Sequence, residues 1–198
     1  MITAIGDVLR RCYERGWITS RDGNCSLRRA RSVYISITPS GWRKTIVHPE
    51  HMIKIRLTNG EMQIPEGTNP SGELHMHYLL LRGMNRTRAI VHVHPTHVVA
   101  AIYRGFDLQK ICGDFPEIYR YTRIGPTVPM LPAVSSELGE ATAQALGVTK
   151  DNPAGDFDIV GQANHGVCSM APDPWSAYEH IERLDHICEI VLNSGVSP

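Results

Sequence analysis

Apolar residues recur along this chain at two spacings, one typical of helices and one typical of strands. Apolar residues three and four positions apart predict helices at residues 5–13, 73–83, 96–104, 135–147 and 173–195. Alternating or β-branched runs predict strands at residues 51–57, 61–64, 89–94 and 127–131. Residues 32–41 and 157–166 are each predicted as a strand that runs into a turn, the second turn lying at Asn164-His165-Gly166. Glycine and proline predict loops at 21–26, at 65–72 and through most of 110–132. The pattern therefore predicts a chain that mixes helices with strands.

Several element ends carry their own signals. Asn59-Gly60 between two strand-like runs predicts the turn of a β-hairpin. Gly83 is expected to end its helix, and Asp173 followed by Pro174 predicts the N-cap and first residue of the last helix. The buried face of that helix is predicted to comprise Trp175, Tyr178, Ile181, Leu184, Ile187, Cys188 and Val191.

Composition favours a single globular domain over residues 1–198. The 198 residues include 42% hydrophobic and 20% charged side chains, with no internal repeat or linker. Lys+Arg and Asp+Glu number 20 each, so the basic excess typical of nucleic-acid binding is missing. No apolar run approaches the roughly 18 residues of a membrane span. We expect no nucleic-acid partner and no membrane partner.

Five cysteines, an odd number without a CxxC pair, argue against a disulfide framework and against a cysteine-built zinc site. Reduced thiols and a cytoplasmic location are expected. A formal net charge of zero favours burial of surface in an oligomer.

Two histidines stand at alternate positions of the strand-like run at 89–94. His92 and His94 would project from the same face of a strand. Two neutral imidazoles at this spacing can reach one metal ion, and they suit Zn²⁺ or another divalent transition metal. The pair is therefore either part of a metal site or a pair of histidines packed in the core or in an interface.

His165 and Glu73 strengthen the metal interpretation. His165 follows an apolar run, and Gly166 lets the backbone turn sharply there and aim the side chain. Three histidines with one open position are typical of catalytic zinc. Glu73 opens the helix before the histidine-bearing strand, where the helix N-terminus favours a carboxylate. It is a candidate fourth ligand, a candidate base, or a helix-start residue only.

Other histidines compete for these roles. Glu73 and His77 are four residues apart on one predicted helix face and form a conceivable metal-binding pair, and His75 lies between them. His97 follows Pro95 in the first turn of a helix, where it could orient the site from outside the ligand set. Surface or packing positions are expected for His48, His51, His180 and His186.

Three short loops share one chemistry. Residues 23–26, 38–41 and 69–73 each combine hydroxyl or amide side chains with a glycine, and the last lies at a predicted helix N-terminus. Each alone is typical of an ordinary turn. Together they indicate a pocket for a phosphate or carboxylate near a metal.

In this order, the motifs GN-x-S, TPSG, PSGE, HVHPTH and NHG resemble those of the class II aldolase/adducin family, which includes fuculose-1-phosphate aldolase and ribulose-5-phosphate 4-epimerase. The resemblance spans most of the chain. It implies an α/β fold, with an αβα sandwich around a mostly antiparallel central sheet. It also implies a homotetramer with active sites between subunits.

The resemblance further implies residue roles. His92, His94 and His165 would be the zinc ligands, and Glu73 would be the acid/base and a candidate fourth ligand. An anion site would be lined by Asn24, Thr38, Ser40, Gly41 and Ser71.

Two departures from the family pattern concern the substrate. Gly72 stands where sugar-phosphate enzymes of the family often have a second serine, so one hydroxyl is missing and the phosphate assignment is weaker. A tyrosine from the neighbouring subunit donates a proton in fuculose-type aldolases, and Tyr119 and Tyr121 are the candidates here.

The resulting hypothesis is a zinc-dependent aldolase-type lyase. It would cleave or form a C–C bond in a small, sugar-phosphate-like hydroxy-carbonyl substrate through a metal-stabilised enediolate. A decarboxylase, a 4-epimerase or a dehydratase would use the same metal–enolate logic. A non-enzymatic adducin-like interaction module is the alternative from another class, and intact His92, His94, His165 and Glu73 argue against it.

Overall fold

A seven-stranded sheet forms the centre of the computed structural model, which describes residues 2–84, 86 and 88–198. Neighbouring strands are all antiparallel, and they lie in the order β4-β3-β2-β1-β5-β7-β6. The strands are β1 (Asn24–Arg28), β2 (Tyr34–Ile37), β3 (Ile53–Arg56), β4 (Met62–Gln63), β5 (Arg88–Val93), β6 (Ile159–Gln162) and β7 (Gly166–Ala171).

Helices cover both faces of the sheet. They are α1 (Thr3–Glu14), α2 (Leu74–Arg82), α3 (Thr96–Tyr103), α4 (Leu108–Gly113), α5 (Ser136–Ala145) and α6 (Pro174–Asn193). One face carries α1, α3, α4 and α6, and the other carries α2 and α5. This arrangement confirms the predicted α/β sandwich around an antiparallel sheet.

Side chains of β5 alternate between the two cores. Ala89, Val91 and Val93 contribute to the core beneath α1, α3 and α6, whereas Ile90 packs with α2 and α5. Successive strand residues point to opposite faces, so His92 shares the face of Ile90. The strand therefore places the fully buried imidazole of His92 on the face of the sheet where α2 begins.

Two local predictions were wrong. Residues 24–26 were predicted as loop, but they begin β1, because this segment pairs with both β2 and β5 and its side chains are buried. Residues 127–131 were predicted as a strand, but they make only an isolated bridge from Val128 to Gln162. Pro126 and Pro129 flank that bridge and lack the N–H donors that a longer ladder requires.

The last helix was predicted closely. Asp173 accepts hydrogen bonds from Trp175 N and Ser176 N as the N-cap, and Pro174 is the first helical residue. The predicted buried face is confirmed except at Trp175, which is 40% exposed in the first turn and stacks edge-on against Tyr178. The prediction missed β7 and α4 altogether.

All five cysteines are buried free thiols, as expected for a chain without disulfides. Across the described part of the chain, no helix is both long enough and apolar enough to cross a bilayer.

Candidate metal and acid-base site

The end of β5 brings two predicted ligands together. His92 is the fifth residue of the strand, and His94 follows Val93, with its backbone N–H donating to the Trp17 carbonyl at 3.0 Å. The two Nε2 atoms are 3.3 Å apart. Two nitrogens at about 2.0–2.1 Å from one tetrahedral ion are separated by about the same distance. The strand geometry thus suits shared coordination.

The turn between β6 and β7 adds the third histidine. Asn164 adopts a left-handed conformation with φ of 56°, and His165 follows it. The His165 ring centroid lies 4.9 Å from that of His92 and 5.3 Å from that of His94. One ligand atom from each of the three histidines lies within 4.8 Å of the others. The structure therefore gathers all three predicted ligands into one cluster.

The protonation of the cluster also fits a metal. Burial lowers the pKa values of His92 and His165 and lowers the pKa of His94 to about 4, so the imidazoles are neutral near pH 7. His92 Nδ1 lies 2.9 Å from the Val167 carbonyl oxygen, which can only accept, so Nδ1 carries the proton. The His92 Nε2 lone pair is then free for coordination.

Glu73 lies at the N-cap of α2, beside the cluster. Its Oε2 is 3.2 Å from His92 Nε2, and its Oε1 is 3.6 Å from His165 Nε2. Within the described residues, Oε1 is buried and receives no hydrogen bond. Burial disfavours the carboxylate, but His92 and the hydrogen bond from Asn24 outweigh burial and lower the pKa of Glu73. An ionised carboxylate with one free oxygen can bind a cation or accept a proton.

Asn24 was predicted to line an anion site, and the structure places its side chain against Glu73. Its Nδ2 donates to Glu73 Oε2 at 2.6 Å, and its Oδ1 contacts His77 Nε2. Asn24 pairs directly with His92 across β1 and β5, which explains how it reaches the site. His77 is fully buried and does not join the three clustered histidines.

The three predicted anion loops contact one another. The Ser40 N–H donates to the Asn69 carbonyl at 2.9 Å and joins residues 38–41 to residues 69–73. The Thr38 hydroxyl accepts from Cys25 N, and the Ser71 hydroxyl accepts from Glu73 N. Gly41 has a φ of 63° and open space around it. Thr38 and Ser71 therefore lie next to the acid-base site, connected to β1 and to the start of α2.

Lys44 is a buried residue near these loops that sequence reasoning missed. Its side chain is 2% exposed, and its ammonium donates to the Pro39 carbonyl at 2.8 Å. Burial lowers the pKa of Lys44 to about 8. The sequence signal was weak, because a lysine in a polar loop ordinarily remains in water.

Gly72 leaves room for a neighbouring apolar side chain. A Cβ atom at Gly72 would lie 2.6 Å from Val134 Cγ1, so a serine could not be accommodated without a shift. Val134 has a φ of 68°, which is unfavourable for a β-branched residue. The missing hydroxyl at Gly72 is thus matched by a valine placed over that position.

The remaining predicted site residues lie apart from the cluster. Tyr119 donates to the Gln109 carbonyl, and the guanidinium of Arg183 packs over the Tyr121 ring. Both tyrosines are about half exposed. His75 is exposed on α2, and His97 contacts Asp185 of α6 through its backbone N–H and its Nδ1. Within this chain, the described contacts of these residues do not extend to the three clustered histidines.

An open groove of about 660 Å³ leads to the histidine cluster. His94 and His165 form one side, and the outer surface of α3 forms the other, with Tyr103 78% exposed at the rim. A small molecule can therefore approach the cluster from solvent along α3.

Known proteins resemble this chain over nearly its whole length. Residues 3–192 match the family model described as Class II Aldolase and Adducin N-terminal domain. The chain is 29% identical over 201 residues to methylthioribulose-1-phosphate dehydratase of Yersinia pestis, a match that covers 94% of this chain and 86% of the relative. It is 26% identical over 189 residues to L-fuculose phosphate aldolase of Methanococcus maripaludis, with 96% and 94% covered.

A third relative has another activity. The chain is 26% identical over 186 residues to 3-oxo-tetronate 4-phosphate decarboxylase of Pectobacterium atrosepticum, with 92% of this chain and 79% of the relative covered. The crystal structure of a sugar-phosphate aldolase from Thermotoga maritima superposes with a TM-score of 0.78 at 24% identity, covering 100% of this chain and 97% of that one. The chain therefore belongs to the class II aldolase and adducin family.

Proposed function

We propose that this protein is a zinc-dependent lyase of the aldolase type, which cleaves or forms a C–C bond in a small hydroxy-carbonyl substrate. The observation that carries the proposal is the cluster of His92, His94 and His165 with the Glu73 carboxylate beside it. Three neutral histidines with a neighbouring carboxylate are suited to hold a divalent transition metal and to transfer a proton next to it.

Each part of the cluster has a separate task. His92, His94 and His165 hold the ion, which when bound supplies a Lewis acid that stabilises negative charge on a substrate oxygen. Glu73 Oε1, free of protein partners among the described residues, accepts the proton from the substrate. Asn24 orients the carboxylate through Oε2 and leaves Oε1 facing the site. Burial of the carboxylate excludes water that would compete for the proton.

The substrate proposed is a sugar-phosphate-like molecule with adjacent oxygen atoms. The names of the three relatives given above each include a phosphorylated compound as the substrate. The joined loops at 38–41 and 69–73 support an anion site beside Glu73, with Thr38, Ser40, Gly41 and Ser71 as its lining. Val134 over Gly72 makes one corner of this site apolar.

We also propose that the protein is cytoplasmic and that it forms a homo-oligomer, specifically a tetramer. A neighbouring subunit would then complete the site. Tyr119 and Tyr121 are half exposed and do not contact the cluster of their own chain, so either could reach the site of a neighbouring subunit as proton donor. The open groove along α3 leaves space for such a side chain.

The test is a parallel assay of the zinc-loaded protein with three substrates. L-fuculose 1-phosphate, 5-methylthioribulose 1-phosphate and 3-oxo-tetronate 4-phosphate would be assayed for aldehyde release, water loss and CO₂ release. Aldehyde release from the first is the expected result. Turnover of only the second or only the third would replace the aldolase proposal by dehydration or decarboxylation. A protein that binds no metal and turns over none of them would support the interaction-module alternative.

A further inference from the structure

A line of buried polar side chains connects the interior of the sheet to Glu73. Ser26 Oγ lies 2.6 Å from His77 Nδ1, His77 Nε2 contacts Asn24 Oδ1, and Asn24 Nδ2 lies 2.6 Å from Glu73 Oε2. Ser26 and His77 are fully buried, and Asn24 is 6% exposed. Ser26 and Asn24 belong to β1, while His77 belongs to α2, so the line joins the sheet to the helix that carries Glu73.

The direction of every hydrogen bond in this line follows from its carboxylate end. The ionised Glu73 can only accept, so Asn24 must present its NH₂ group to it. The Asn24 oxygen then faces His77 Nε2, which must carry the imidazole proton. His77 Nδ1 is consequently an acceptor and takes the Ser26 hydroxyl proton. One orientation of each group satisfies all three contacts.

The amide of an asparagine can rotate by a half turn with almost no change in shape. In the rotated form Asn24 would place its oxygen against the Glu73 carboxylate, and the two acceptors would repel each other. The His77 Nε2–H opposes that rotation, because it requires an oxygen opposite it. Burial lowers the pKa of His77 to about 3, so the neutral ring persists at the pH values where the enzyme would work.

We propose that His77 is a positioning residue, which together with Ser26 locks the Asn24 amide so that it donates to Glu73 and holds the carboxylate toward the substrate. The proposal rests on the proposed role of Glu73 as the acid/base. His77 touches neither substrate nor metal in this arrangement. Partners that orient metal-ligating side chains typically contribute about 10- to 100-fold to activity or metal affinity, and we expect an effect of the same order here.

Three variants separate positioning from mere packing. His77→Leu removes the Nε2–H donor and should lower kcat by about 10- to 100-fold, with KM and zinc content changed by roughly twofold or less. His77→Gln can present an amide N–H at the same place and should restore most of kcat. Asn24→Asp keeps the shape but opposes two carboxylates, so it should lower kcat more than His77→Gln does. His75→Gln, exposed on the same helix, is the matched control and should leave kcat unchanged.

A second readout needs no turnover. Long-range ¹H–¹⁵N NMR of the full-length protein should find His77 as the Nε2–H tautomer near pH 7, both with and without zinc. Glu73→Gln should allow the Nδ1–H form to appear, because glutamine can present either an oxygen or an NH₂ group and no longer fixes the orientation of the Asn24 amide. The tautomer tests the directions of these hydrogen bonds even if no tested substrate reacts. Failure of the proposed function and failure of the positioning role therefore remain distinguishable.

Three results would overturn the inference. These are an Nδ1–H tautomer in the wild type, wild-type kcat in His77→Leu, and a loss in His77→Leu that His77→Gln does not restore. The last would show that the imidazole fills space, because glutamine supplies the donor but a different shape.

Discussion

At the scale of single residues, Glu73 carries the chemical hypothesis. Glu73→Gln keeps the size of the side chain and removes its capacity to accept a proton. We expect kcat to fall by about 100- to 10,000-fold, the usual contribution of general acid–base catalysis. The zinc content, measured by elemental analysis, should remain near that of the wild type, because three histidines suffice to hold the ion.

Glu66→Gln is the matched control for this change, since Glu66 is exposed in the loop before α2. Its turnover should equal that of the wild type. Wild-type kcat in Glu73→Gln would exclude Glu73 as the acid/base. Loss of zinc from that variant would instead identify Glu73 as a ligand that the ion requires.

Because Lys44 is buried, we expect its contribution to the free energy of unfolding to depend on pH. The folded protein holds this ammonium at a pKa of about 8, below its ordinary value of 10.5, because burial disfavours the charge. Between these values the unfolded chain binds more protons than the folded one, so the Lys44 contribution to the free energy of unfolding rises with pH. Lys44→Met should therefore gain stability relative to the wild type below pH 8, and that gain should shrink by up to about 3 kcal/mol toward pH 10.5.

Urea unfolding of both proteins at several pH values from 7 to 10 measures this difference. Lys54→Met, at an exposed position of β3, serves as the control for the replacement of a lysine by methionine. A pH-independent difference between Lys44→Met and the wild type would show that the Lys44 pKa is not lowered in the folded state.

At the scale of elements, the turn between β6 and β7 is pressed against the end of β5. A Cβ atom at Gly166 would lie 2.5 Å from the Val93 carbonyl oxygen and 2.7 Å from His94 Cδ2. Gly166→Ala should thus push the turn and His94 apart. We expect zinc affinity to fall by at least about tenfold, as for other changes that misplace ligands, with some loss of stability. Competition with a chelator of known affinity measures it.

Gly113→Ala is the control for that substitution, since nothing lies within 4 Å of a Cβ atom at Gly113. It should leave zinc affinity unchanged. An unchanged affinity in Gly166→Ala would mean that the turn can shift without moving the ligands.

Elements with a strong local pattern were predictable from the sequence. The alternation at 89–94 predicted β5, and Asp173-Pro174 predicted the start of α6. β1 was not predictable, because Asn24 and Ser26 are polar and owe their burial to β2, β5 and α2 on either side. Local sequence does not encode such tertiary pairing.

The same distinction holds for the site. The two-residue spacing of His92 and His94 predicted that their side chains project from the same face of the strand, because strand geometry alone determines this. The contact between Asn24 and His92 depends on strand register, and the contact between Asn24 and His77 depends on how α2 docks. The sequence therefore predicted which three histidines cluster, but it did not predict the hydrogen bonds that connect Glu73 with Asn24 and His77.

At the scale of the whole molecule, the cluster joins segments far apart in the chain. His92 lies in β5 and His94 directly follows that strand, His165 lies more than 70 residues later, and Glu73 is the N-cap of a helix on one face of the sheet. An ion bound by the three histidines would connect the end of β5 to the turn between β6 and β7. Because the unfolded chain cannot hold the histidines together, such an ion binds the folded state preferentially and stabilises the whole fold.

Zinc should therefore raise the melting temperature of the intact protein. At a free concentration of about 100 times Kd, the gain in the free energy of unfolding is about 2.7 kcal/mol. For a chain of this length, that corresponds to a rise in Tm of roughly 5–10 °C. Calorimetry with and without a chelator measures the shift. His165→Ala should abolish it, and His97→Ala should retain it because His97 contacts Asp185 outside the cluster. A shift that survives in His165→Ala would place the stabilising ion elsewhere in the molecule.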